Sequence, residues 1–157
     1  MRTKTEKLHQ ARNLLEQRRF SEALAATESL RSSDPLEKAE LYLIRCDAKL
    51  ALGDFRIPEV ELALNILGKS SNYQLFALAK FFKARIHINS GEYLEAQENL
   101  TEAYVYHKRI EDFRGMGRVS NLQSFIAFKQ SDFASFRRYA EQSIKCYSRS
   151  DNCEQMG

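Results

Sequence analysis

A short pattern recurs four times along this chain: a glycine or polar residue, a charged residue, then an aromatic. It reads Arg18-Arg19-Phe20, Gly53-Asp54-Phe55, Gly91-Glu92-Tyr93 and Ser131-Asp132-Phe133, with the aromatics 35, 38 and 40 residues apart. Nine residues before each aromatic stands a small side chain: Ala11, Cys46, Ala84 and Ser124. A register kept at two places, with a period of tens of residues, restricts a chain to tandem copies of one supersecondary unit. Small residues at a fixed helical site let two helices approach closely, and an aromatic just past the turn fills the wedge between them. Ala23 and Ala96 put a second small residue on the first turn of the next helix. In the second unit Pro58 takes that place and moves the contact to Val60; in the fourth, Phe136 is expected to block a close approach.

Only two prolines and six glycines punctuate the length, too few turn formers for a barrel or sandwich of short strands. A composition 43% hydrophobic and 29% charged is that of a folded chain rather than a disordered one. Caps and periodicity place paired helices near 4–17 and 21–31, 36–52 and 58–68, 73–90 and 93–110, and 113–130 and 133–149. Asp34-Pro35-Leu36-Glu37 marks one start, with an acceptor at the cap, proline at the first helical site and an acid three residues after the cap. Ser71-Asn72 offers another, and Asn89-Ser90-Gly91 a stop. The units then run about 4–34, 35–71, 72–111 and 112–150. Met116-Gly117 recurs as Met156-Gly157, and Asp151-Asn152-Cys153-Glu154 reads as a further cap. Residues 151–157 are therefore expected to begin a fifth unit, and the chain to be a piece of a longer protein. The predicted fold is all-α, a single repeat domain over 1–157: a right-handed superhelix of about four helix hairpins.

These residues resemble the tetratricopeptide repeat family. Phe20-Ser21-Glu22-Ala23-Leu24 followed by Ser33-Asp34-Pro35 looks like its 34-residue form. Gly91-Glu92-Tyr93-Leu94-Glu95-Ala96 with Leu100 and Ala103 is similar, with longer helices like those of bacterial regulators of the MalT-like and Rap-like kind. The matching positions all serve packing. The resemblance implies a non-catalytic protein- or peptide-binding module in the cytoplasm, without cofactor, serving as the sensory or interaction region of a larger regulator. A self-association scaffold, a homodimer formed through the terminal repeat, is the alternative.

Charge and chemistry exclude other classes. The 24 basic and 21 acidic residues are interspersed and net +3, which gives no support to nucleic-acid or membrane binding. Three cysteines without close pairing suit free thiols in a reducing compartment, and no apolar run approaches the ~20 residues of a membrane helix. His9, His87 and His107 have no histidine or cysteine at the spacing that puts two metal ligands on one helical face. Gly68-Lys69-Ser70 lacks the earlier glycine and strand of a phosphate loop. Gly115-Met116-Gly117 lacks the third glycine of a dinucleotide fingerprint, and close helix packing explains it better. The basic pairs Arg18-Arg19, Lys108-Arg109 and Arg137-Arg138 read as solvated faces.

In the resembling family the ligand side follows the small packing position by one residue, on the inner wall formed by the first helices of successive pairs. Carried onto this chain, that stripe implies Arg12, Asp47, Arg85 and Phe125, flanked by Phe81, Asn89, Arg118 and Asn121, with Ile44, Phe82, Ile88 and Phe128 beside them. Arginines there hold carboxylates or carbonyls, asparagines bond peptide amides, and phenylalanines take an apolar anchor. The polar clamp that some members use for chaperone tails is not reproduced, because Leu8, His9, Ile44 and Asp47 stand in its place.

Overall fold

A computed structural model describes residues 3–156, and among them all regular structure is helical. The helices are α1 (Lys4–Glu16), α2 (Phe20–Glu28), α3 (Pro35–Ala51), α4 (Glu59–Leu67), α5 (Tyr73–Ser90), α6 (Tyr93–Arg109), α7 (Phe113–Lys129) and α8 (Phe133–Met156). They form paired hairpins, α1 with α2, α3 with α4, α5 with α6 and α7 with α8, in tandem. Two compact units divide the chain, Met1–Leu75 and Phe76–Gly157.

The repeated tripeptide is a helix stop and a helix start fused together. Arg18, Gly53, Gly91, Glu111 and Ser131 all have positive φ, between 55° and 81°. The next amide in each case reaches back five residues: Arg19 to the Leu14 carbonyl, Asp54 to Lys49, Glu92 to His87, Asp112 to His107 and Asp132 to Ala127, at 2.8–2.9 Å. This pair of features is the Schellman stop, which satisfies the last carbonyls of a helix. Except after Gly53, the aromatic that follows is the first residue of the next helix. Glu111-Asp112-Phe113 is a copy that the four-fold pattern did not include. It joins α6 to α7, so that Tyr93, Phe113 and Phe133 open successive helices at a constant spacing. Glycine adopts positive φ freely, whereas an L side chain there costs about 1–2 kcal/mol. Ser131→Gly at this exposed turn is therefore expected to raise stability by about 0.5–1 kcal/mol in urea unfolding, after allowing for the greater freedom of glycine in the unfolded chain. An unchanged or lower midpoint would contradict the strain argument.

In the first unit Leu8 and Ala11 of α1 pack with Leu30, Leu41 and Ile44. Arg45 of α3 donates to the carbonyl of buried Thr27 at the end of α2, at 2.6 Å. Lys49 of α3 pairs with Glu59 of α4 at 2.6 Å. The expected caps are in place, with Asp34 accepting from the Glu37 amide and Asn72 from the Leu75 amide. Glu37 does not return the bond; it accepts from the Ser32 hydroxyl. Pro58 sits at the cap of α4 instead of inside its first turn, and Val60 is the buried contact, as expected from the shifted spacing.

In the second unit α5 and α6 run antiparallel, with Phe76 against Tyr106 and Lys80 paired to Glu102. Helices α7 and α8 meet at Gly117, whose carbonyl accepts from the Ser143 hydroxyl at 2.9 Å and whose missing side chain admits the Tyr147 ring. The register residues Ala11, Cys46, Ala84 and Ser124 are all buried, as are Ala23 and Ala96.

Two expectations need correction. Helix α8 is continuous to Met156, so Asp151–Glu154 lie within it and do not cap a new helix. No glycine or proline interrupts that stretch, while Arg149 over the Phe113 ring and Arg114 facing Glu154 at 3.8 Å hold it against the start of α7. Gly157 lies outside the described residues. Phe133 fills no wedge: it is 62% exposed and meets Phe128 edge-on, with ring centres 6.4 Å apart. Phe136 also meets Phe128, with ring centres 5.8 Å apart, and the close approach of α7 and α8 is made further along, at Gly117 and Ser143.

Candidate functional site

The eight residues of the expected stripe divide between the two units. Arg12 and Asp47 belong to the first. Arg12 of α1 is ion-paired with Glu40 of α3, and Asp47 is partly buried and already engaged, so neither presents an uncommitted charge.

The other six lie on α5 and α7 of the second unit. Phe81 is buried, and the Arg118 guanidinium covers its ring at 4.6 Å from the centroid. Phe81 therefore supports Arg118 and does not itself offer an apolar anchor; a cation on an aromatic face is attracted by ~0.5–2 kcal/mol, more as water is excluded. Arg85 is partly buried and engaged, and Asn89 is exposed at the last turn of α5.

Helix α7 brings the rest together. Arg118, Asn121, Phe125 and Phe128 follow at steps of three and four, which places them on one helical face. Asn121, Phe125 and Phe128 are exposed and Arg118 is partly so. Arg114 and Lys129 extend the same face, Lys129 lying 5.3 Å from the centre of the Phe125 ring. Helix α7 contains three cations and no aspartate or glutamate. Arg114 and Lys129 were missed by carrying over a family stripe, although the absence of acid across seventeen residues is a signal legible in the sequence. The charges that α7 itself contributes to this face are all basic, Glu154 of α8 reaches Arg114 at 3.8 Å, and two phenylalanines give an apolar strip beside them.

The opposite end of α7's packing is fixed by a buried polar knot. The His107 ring, 5% exposed, meets Asp112 at 2.9 Å, and the other oxygen of Asp112 caps α7 by accepting from the Gly115 amide at 2.9 Å. The hydrogen bond from His107 is the main reason the Asp112 carboxyl lies below its ordinary range; the Gly115 amide adds to it, against the effect of burial. A Cβ on Gly115 would stand 2.2 Å from the His107 ring, so Gly115 is what admits the histidine. Gly115-Met116-Gly117 is thus a packing motif. Glu92 repeats the arrangement with His87 twenty residues earlier in the chain, at 2.6 Å and in a more exposed setting.

Burial pushes the thiols of Cys46 and Cys146 up, which makes both poor nucleophiles. Cys153 is exposed. Among the described residues no group of three or more His, Cys, Asp or Glu is placed to hold a metal ion, and no helix is long and apolar enough to cross a membrane. Tandem helix hairpins fit a repeat-mediated protein-interaction module. Set against known protein families, curated proteins and solved structures, the chain finds no match in any of the three comparisons.

Proposed function

We propose that this chain is a peptide-binding module of the tetratricopeptide-like kind, the interaction region of a larger cytoplasmic regulator, and that its ligand is an extended acidic segment with an aromatic or aliphatic anchor lying along α7. The observation that carries this reading is the basic and apolar make-up of the α7 face: Arg114, Arg118 and Lys129 beside exposed Phe125 and Phe128, with no acid on the helix itself. Arg118, held against Phe81, is the pre-ordered member and takes a carboxylate; Asn121 bonds the peptide backbone. Cations beside apolar surface give charge steering together with an anchor, which is how interfaces concentrate energy in few residues.

Titration of acidic-aromatic peptides by fluorescence anisotropy tests the proposal. Binding in the micromolar range is expected, weakened about tenfold or more by Arg118→Glu and by raised salt. If no acidic peptide binds below about 1 mM, or if Arg118→Glu has no effect, the reading fails. Steeply salt-dependent retention on heparin without peptide binding would replace it with a nucleic-acid reading.

Self-association is a second reading, favoured by Phe128, Phe133 and Phe136, whose rings cluster in exposed positions where α7 passes into α8. Sedimentation equilibrium separates the two, since a chain that stays monomeric at tens of micromolar leaves that cluster without a second copy.

A further inference from the structure

On the side of α7 away from Arg118 and Phe125, a cleft of about 250 Å³ opens among α6, α7 and the first turns of α8. Its lining is rich in carboxamides: Gln97 of α6, Gln123 of α7 and Gln130 at the end of α7. Gln123 is the informative one. Its residue is 6% exposed, yet among the described residues its amide has no hydrogen-bond partner, and the group opens into the cleft. The stem of Gln123 is buried while its amide reaches the open cleft, so its hydrogen bonds are completed by whatever enters there, water or a ligand.

The neighbouring groups define what fits. Gln97 donates to the Tyr139 hydroxyl oxygen at 3.2 Å, which leaves the phenolic proton of Tyr139 available to a further acceptor. Ile126 and Ala127 contribute apolar floor, and exposed Leu94 stands at the rim. Lysine and arginine are absent from the lining, and its one acid, Asp132, accepts from the Ser135 amide as the cap of α8. An anionic ligand would meet the Asp132 carboxylate in the lining, and the nearby Arg138 guanidinium lies over the Tyr139 ring, 5.0 Å from its centre. A neutral group with one donor end and one acceptor end meets the amide of Gln123 and the phenol of Tyr139 together.

We propose that this cleft is a binding site for the carboxamide side chain of an extended peptide, a glutamine or an asparagine, seated between Gln123 and Tyr139. It is separate from the basic face of α7 and does not depend on the function proposed for that face.

The test is titration of the ¹⁵N-labelled chain with the blocked tripeptide acetyl-Ala-Gln-Ala-amide and with its Glu, Lys and Leu counterparts, each to about 10 mM, following the side-chain amide signals of Gln97 and Gln123. The glutamine peptide is expected to shift these signals saturably with a Kd of about 1 mM, at least tenfold tighter than the other three. Gln123→Met, close in volume, should weaken this binding at least tenfold. Leu94→Trp, at an exposed site, should block the mouth and abolish it without touching the core, which keeps the test open if the Met variant unfolds. Arg118→Ala should leave it unchanged. Absence of a saturable shift, equal response to the Glu, Lys or Leu peptide, or full binding by a folded Gln123→Met or Leu94→Trp chain each overturns the assignment.

Discussion

Replacing Lys49 with alanine is expected to cost about 3 kcal/mol in urea unfolding, the largest effect of any single surface-reaching charge in the first unit. Its ammonium lies 2.6 Å from Glu59, and the two side chains are only 21% and 13% exposed. The second oxygen of Glu59 is buried without a hydrogen bond, so the lysine is the compensation that the carboxylate has. Removing one member of such a pair leaves an uncompensated charge, which costs ~3–5 kcal/mol where burial is complete and lies at the low end here because some water reaches both groups. Removing both should cost far less. Lys49→Met combined with Glu59→Gln is expected within about 1 kcal/mol of the parent, since a neutral pair owes nothing to desolvation of charge. A double variant as unstable as Lys49→Ala would show that packing, not electrostatics, is what the pair contributes.

Gly115→Ala is expected to lower stability by about 2–4 kcal/mol, whereas Gly117→Ala, two residues on, should change it by no more than about 1 kcal/mol either way. Alanine is favoured over glycine within a helix by ~1 kcal/mol at both sites. At Gly115 a Cβ would lie 2.2–2.5 Å from the His107 ring and the Asp112 carboxylate, so the histidine must leave its buried place and its bond. At Gly117 the nearest atoms are those of the Tyr147 ring at 3.2 Å, a contact relieved by a few tenths of an ångström. Acid titration supplies a second readout. Because the Asp112 carboxyl is depressed in the folded chain, its contribution is present above the ordinary carboxylate range and is lost as pH falls through the folded-state value. Gly115→Ala, which displaces His107, should flatten that acid-side loss; parent-like pH dependence would mean that the His107–Asp112 bond survives the substitution.

Helix spacing and stops were legible because they are local. A left-handed residue, a charged residue and an aromatic in succession carry their own backbone requirement, and small residues nine positions upstream carry the packing requirement. The copy at Glu111-Asp112-Phe113 falls outside the four-fold pattern because nine residues before its aromatic stands Tyr104, not a small side chain. The end of α8 was misplaced for a related reason. Asp151 and Glu154 make a good cap on paper, but a cap forms only where the backbone leaves the helix, and contacts from Arg149 and Glu154 to the start of α7 keep it helical.

The candidate sites show the same division. The line Arg118, Asn121, Phe125 and Phe128 follows from helical periodicity alone, and the absence of acids in α7 can be counted from the letters. That Arg118 lies on the ring of Phe81 and that Arg12 is taken by Glu40 are pairings between helices distant in sequence, and so is the packing of α6, α7 and α8 that opens a cleft at Gln123. The sequence by itself determined an all-helical chain, its stops, and which faces are small enough to pack, since each depends on a few consecutive residues. The tertiary structure alone decided which polar groups are spent and which are left over, because a side chain's partners are set by the helix that happens to lie across from it.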